Sequence, residues 1–297
     1  MPSLSREIGL SLYRWSTMRT RLHLAKQFEA SGTYPAAVLF YHRVADKHPN
    51  GWSISNANFV QHLNWVQQHA RFASLGDIRK SQSNGHRRIP MVAITFDDGY
   101  SDNCERAIPE ILERKIPCTY FVSTHFVESG EPFPHDRAAG IPLKPNTIEE
   151  IRRMASQGIT IGGHTHTHLD LGKTLSSEQL RREISDSRKK LQDWSQQPVT
   201  YFAFPYGLKD NVSQQSIDAV LEAGFECFLT AAGGLNWPGE DPVHLQRIHG
   251  DPGMAALTNW LTLDPRKLNL KSPVVIDPSA LQRPTDSSSE SGQSSPG

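Results

Sequence analysis

Three scarcities narrow this sequence before any motif is read. Cysteine occurs only as Cys104, Cys118 and Cys227 in 297 residues. An odd, scattered set excludes a disulfide framework and a C-x-x-C thiolate knot, and it fits a reducing compartment. An excess of one charge is lacking as well: Lys+Arg and Asp+Glu both total 31. No global field therefore gathers nucleic acid. Long apolar runs are missing too. Nothing approaches the ~20 consecutive apolar residues of a membrane span. The opening stretch, MPSLSREIGLSLYRWSTMRTRLHLAK, has no apolar core of the kind that marks a secretory signal. The expected location is the cytoplasm.

What is present is ordinary for a globular protein, with 37% hydrophobic and 21% charged residues, and long enough to bury one sizeable core. Residues 4–29 have helical patterning. They are expected to pack on the flank of the domain, with a basic amphipathic segment lying on a membrane surface as the alternative. From residue 35 short apolar runs alternate with helical ones. AAVLFYHRV (36–44), MVAITFDDG (91–99), CTYFVST (118–124), TIGGHT (160–165), TYFAFPYG (200–207) and FECFLTA (225–231) read as strands. NANFVQHLNWVQQH, CERAIPEILERK, TIEEIRRMASQG, SSEQLRREISDSRKKLQDWS and SQQSIDAVLEAG read as helices. Such alternation predicts an α/β fold with a mostly parallel sheet. Residues 76–90, GDIRKSQSNGHRRIP, read as an exposed basic loop. From 273 the chain turns Ser- and Pro-rich and is expected to be disordered. The expected division is thus a helical segment (1–34), a catalytic domain (35–272) and a tail (273–297).

In parallel α/β folds the residues just past the strand C-termini line the site. TFDDG, HTHTH, FPYG and YHRV all fall there. Carboxylate and neutral imidazole are suitable ligands for Zn²⁺ or Fe²⁺, and three protein ligands leave a position open. Adjacent Asp97 and Asp98 would point in different directions along an extended strand, so that one could bind metal while the other stays free. His164, His166 and His168 alternate and would face the same way in an extended segment. Geometry alone does not choose among them.

TFDDG, the later GHTHTH, and FAFPYG, in that order and at those separations, resemble the polysaccharide deacetylase family (the NodB homology domain), over roughly residues 35–263. The resemblance implies a distorted (β/α)7-type barrel and a metal-dependent hydrolase that removes N-acetyl groups from a sugar or polysaccharide. It also implies roles. Asp97 becomes the catalytic base; Asp98, His164 and His168 hold one divalent ion, zinc foremost; the Tyr206 backbone N–H stabilises the oxyanion; His166 is a bystander. FYHRV resembles the branch of poly-N-acetylglucosamine deacetylases, which implies His42 as the general acid, with His249 of LQRIHG in reserve. Where the family often carries an Arg that orients the base, two residues before the proline, this chain has Ala203. Arg247 and Arg43 are the candidates to replace it. Trp52, Trp237 and Trp260 could stack on sugars, but packing inside the protein is the expected use of each. The competing functions are an amidohydrolase of the same fold acting on a non-sugar amide, and an inactive glycan-binding module.

Overall fold

The computed structural model describes residues 4–141, 143–250, 253–270 and 274. Its centre is a curved sheet of nine strands, of which eight form the continuous path: β1 (Ala36–Tyr41), β2 (Met91–Phe96), β3 (Cys118–Val122), β4 (Thr160–Gly163), β5 (Tyr201–Ala203), β6 (Cys227–Thr230), β7 (His244–Gln246) and β8 (Ile248–His249). Their order is β7-β6-β5-β4-β3-β2-β1-β8, and every one of these pairings is parallel. The ninth, the two-residue strand Arg71–Phe72, pairs only with the start of β2. β7 and β8 are separated by a single residue, Arg247. One short segment therefore pairs first with the last strand and then with the first, spanning the seam of a nearly closed barrel. Counted as one strand, it leaves seven on that path, the number expected.

The strands of the path are buried on both faces, and this is why they read as nearly unbroken apolar runs. Ala36, Val38, Ala93, Phe121, Ala203, Leu229 and Leu245 form a cluster inside the barrel. The alternate residues, such as Leu39, Tyr41, Ile94, Phe96, Tyr120 and Phe202, meet the helices outside. The period of two along each strand sorts the side chains. Gly162 matters for this packing. A Cβ there would stand 2.4 Å from the Phe121 ring, so only glycine lets that ring fill the interior.

Helices Leu4–Ser16 and Met18–Ser31 confirm the helical patterning of the first residues. They dock on helix Met254–Leu261 and the turn after it. The buried Arg21 guanidinium donates to the Asn259 carbonyl (3.0 Å) and side chain (2.7 Å), and the Tyr13 hydroxyl donates to Asp264. The expected loop at 76–90 is corrected in its first half. Helix Leu75–Ser83 forms there, opened by a reciprocal Ser74–Asp77 capping box. Leu75 and Ile78 are buried on one face among basic residues, so tertiary packing outweighs a polar composition. Residues 177–195 form the long helix expected, with a π-helical middle at Arg181–Asp186. The tail expected to be disordered lies outside the described residues, apart from the buried Val274.

Beneath β1, His62 of helix Asn56–His69 shares a 3.0 Å hydrogen bond with the Tyr41 hydroxyl. Burial pushes its pKa down from 6.5 to about 4. Between those values the unfolded chain binds a proton that the folded chain excludes, so this histidine erodes stability as pH falls from 6.5 to 4 and not above 7. His62→Gln should flatten the decline of unfolding free energy across that window, measured by urea titration at several pH values. An unchanged slope would show that His62 is not its source.

Candidate metal centre and active site

Because all the strands are parallel, their C-termini open at one end of the barrel. β2 runs into Asp97 and Asp98, β4 into His164, β5 into the turn of Tyr206, β1 into His42, and the seam supplies Arg247 and His249. Asp97 continues the inward alternation of Met91, Ala93 and Thr95. Inside, the fully buried Arg247 donates to Asp97 Oδ1 at 2.6 Å and rests over the Phe40 and Phe121 rings. Burial raises the Asp97 pKa, but the Arg247 charge beside it more than offsets this and holds the carboxyl below its usual value. Arg43 does not approach the acids in this way. Its guanidinium binds Asp102, the Lys47 and His48 carbonyls and Ser53, fixing the loop after β1.

Asp98 takes a left-handed conformation, φ +74°, and the Gly99 N–H bonds back to the Asp97 carbonyl at 2.9 Å. This is a γ-turn of the rare, strained hand. It turns the Asp98 carboxylate away from Asp97. Asp98 Oδ1 then lies 3.4 Å from His164 Nε2 and 3.3 Å from His168 Nε2, yet among the described residues this buried oxygen has no hydrogen-bond partner. Burial raises the Asp98 pKa, and the two imidazoles pull it well below the carboxylate range. His164 Nδ1 faces the Ala203 carbonyl at 2.8 Å. A carbonyl only accepts, so Nδ1 carries the proton and the Nε2 lone pair points at Asp98. The ligand atoms of Asp98, His164 and His168 all lie within 4.8 Å of one another. An orphaned carboxylate oxygen facing two imidazole nitrogens fits a cation better than it fits hydrogen bonding.

His166 is directed elsewhere. The segment is not extended, because Thr165 and His168 have φ of +63° and +58°, and this breaks the alternation that would have aligned three rings. His166 Nδ1 instead pairs with Thr124 Oγ1 at 2.8 Å. Glu183 holds the loop in this shape. Its buried carboxylate accepts the backbone N–H groups of His166 (3.0 Å) and Thr167 (2.8 Å) and the Thr167 hydroxyl (2.9 Å). Sequence reasoning missed Glu183, although a signal existed. It lies on the apolar stripe Leu180, Ile184, Leu191 and Trp194, where a charge needs a buried partner.

Tyr206 sits in a second γ-turn, φ +61°, closed by Gly207 N–H to the Pro205 carbonyl at 2.6 Å. Its ring meets His168 edge-on at 5.0 Å. His42 and His249 stand side by side at the rim, ring centroids 5.9 Å apart, and both contact Phe40. His42 is near enough to lower the pKa of both Asp97 and Asp98. Trp52, expected to be packed inside, is 48% exposed and lies 5.5 Å from the His42 ring. On the opposite wall Tyr100 donates to the buried Asp136 at 2.9 Å, and Phe133 approaches His168. No sequence signal marked Asp136, which lies in the turn-rich PFPHD stretch. A cleft of about 760 Å³, reaching from Arg6 and Leu10 to Gly233, adjoins this rim at His249.

Fold and site together define a parallel (β/α) barrel with a His/His/Asp cluster in its mouth. The family model of polysaccharide deacetylases matches residues 84–228. YxkH of Bacillus subtilis, provisionally described as a polysaccharide deacetylase, is 26% identical over 221 residues, covering 73% of this chain and 72% of its own length. A poly-beta-1,6-N-acetyl-D-glucosamine N-deacetylase of Staphylococcus aureus is 24% identical over 236 residues, 72% of this chain and 78% of that one. The solved structure of IcaB from Ammonifex degensii shares the fold, with a TM-score of 0.62 at 23% identity over 77% of this chain and 97% of that one.

Two predictions test the site's scaffold. Breaking a buried ion pair from one side leaves an uncompensated charge and typically costs about 3–5 kcal/mol. Arg247→Met should therefore destabilise the wild type by that order and the Asp97→Asn background by much less, in a double-mutant cycle read by denaturant titration. Equal costs in both backgrounds would show that the pair is not coupled. Glu183→Ala should weaken metal binding about 10–100-fold, as loss of groups that orient ligands generally does, while the chain stays folded by circular dichroism. Unchanged affinity would remove Glu183 from that role.

Proposed function

We propose that the protein is a metal-dependent carbohydrate N-deacetylase. The observation that carries this reading is the juxtaposition at the barrel mouth. An Asp98 oxygen with no hydrogen-bond partner among the described residues faces two imidazole nitrogens, beside a second carboxylate, Asp97, held ionised by Arg247. Two imidazole nitrogens and one carboxylate oxygen suit zinc. When bound, such an ion supplies a Lewis acid for the acyl oxygen and for the water that attacks it.

The remaining roles belong to the chain. Asp97 accepts the proton of the attacking water, and Arg247 keeps its carboxylate charged and aimed. The Tyr206 N–H, presented by its γ-turn, donates to the acyl oxygen as charge gathers there. His42 delivers a proton to the departing sugar nitrogen, because an amine leaves poorly as an anion. His249, at its side, is the reserve. Trp52 offers an exposed ring for a sugar face next to the acid. The substrate class, an N-acetylated sugar or polysaccharide, is supported by the match to the family model and by the name of the Staphylococcus aureus relative.

The test is metal analysis together with acetate release from N-acetylated oligosaccharides. His164→Ala and His168→Ala should lose metal and activity together, and His166→Ala should keep the metal. Asp97→Asn should keep the metal and lose turnover. His42→Ala should lower amide hydrolysis by ~10²-fold or more and spare an activated aryl acetate, whose leaving group needs no proton. The same selective defect in His249→Ala, with His42→Ala near wild type, would transfer the acid role to His249. Metal-loaded protein that releases no acetate from any such sugar would overturn the carbohydrate reading.

A further inference from the structure

The N-terminal helices are docked with the wrong side in. In an amphipathic helix on a globular domain the apolar stripe faces the core. Here the docked face of Leu4–Ser16 is the mixed one. The Glu7 carboxylate accepts the Ala255 N–H at 3.1 Å, the Tyr13 hydroxyl donates to Asp264 at 2.9 Å, and the Leu10 carbonyl accepts from Asn259 at 3.0 Å. No residue of this helix is buried. The outer face carries the large apolar side chains. Leu4, Ile8, Leu12 and Trp15, at spacings that keep one helical face, are 77%, 52%, 62% and 78% exposed.

That face continues into the second helix. Thr17 N–H bonds to the Tyr13 carbonyl at 3.1 Å and Arg21 N–H to the Thr17 carbonyl at 3.0 Å, so the helical ladder crosses the junction. The next residues on the same line are Arg19, Leu22 and Lys26, all exposed, with one carboxylate, Glu29, in the last turn. Across residues 4–31, Lys and Arg number five and Asp and Glu two. An apolar ridge ending in a tryptophan and followed by cations matches a lipid surface, with the side chains in the acyl boundary and the charges at phosphate level. No helix among the described residues is long and apolar enough to cross a membrane. A second copy of the chain would cover the ridge but would offer the cations little counter-charge, since Glu29 is the only acid on this line.

We propose that the outer face of the Leu4–Lys26 ridge is a docking surface for a bilayer containing anionic lipid, on which the protein lies without spanning it. The inner face of the same helix, through Arg6 and Leu10, walls the cleft that reaches His249. Docking therefore sets the cleft one helix away from the lipid surface. The surface stands on geometry and charge, independently of the reaction.

The experiment is co-sedimentation of the full chain with vesicles of phosphatidylcholine alone and of phosphatidylcholine with about one-third phosphatidylglycerol, combined with sizing chromatography. Wild type should partition onto the anionic vesicles. Ile8→Ser/Trp15→Ser should bind about tenfold or more weakly, and Arg19→Ala/Lys26→Ala about 25-fold more weakly, near fivefold per cation. Both variants should retain the wild-type melting temperature and acetate release from a soluble substrate. Wild type remaining in the supernatant with both vesicle types would overturn the proposal. So would undiminished binding by Ile8→Ser/Trp15→Ser. A wild-type dimer that this variant converts to monomer, without vesicle binding, would assign the ridge to a second copy instead.

Discussion

The Arg247–Asp97 ion pair ties the closure of the barrel to its candidate site. Arg247 is the one residue between the two pieces of the seam strand, and it points into an interior lined mainly by alanine, valine, leucine and aromatic rings. A guanidinium in such a place needs a carboxylate, and Asp97 is the carboxylate the β2 alternation delivers. Each charge makes the other's burial tolerable. The seam is thereby tied to the end of β2, where the candidate base sits.

Around this pair the cluster is shaped by polar contacts that each fix a single degree of freedom. The γ-turn at Asp98 separates the two acids, so that adjacent carboxylates meet different partners, Arg247 for one and two imidazoles for the other. The Ala203 carbonyl sets the His164 tautomer. Glu183 gathers the amides of the loop between His164 and His168, and so determines which imidazoles converge. Residues with left-handed φ at Asp98, Thr165, His168 and Tyr206 concentrate backbone strain around the site. Such strain persists only where surrounding contacts over-determine the geometry.

The periphery follows a different logic. The first helices contribute polar clamps to the domain and leave their apolar residues outside. The same helix that presents this ridge also lines the cleft leading to His249. The exposed ridge and a wall of the cleft therefore share one helix.

Much of this was legible in the sequence. The alternation of apolar runs with helical patterns determined an α/β fold, since strands buried on both faces must be apolar throughout. The positions of TFDDG, HTHTH and FPYG at run ends determined that acids and imidazoles would meet. The basic composition of residues 76–90 misled, because the two buried apolar positions of Leu75–Ser83 are too few to register as a period. Other features belonged to tertiary structure alone. An extended HTHTH would align three rings, and only the positive-φ bends and Glu183, 15 residues beyond His168, turn His166 away. With Ala203 in place of an arginine, the sequence left Arg247 and Arg43 both as candidates to orient the base, and only barrel closure, which brings Arg247 across 150 residues to Asp97, distinguishes them. Sequence periodicity records which face a residue occupies. It does not record which distant element that face will meet, and in this protein the orienting charge, the loop clamp and the pair of rim histidines are all products of such meetings.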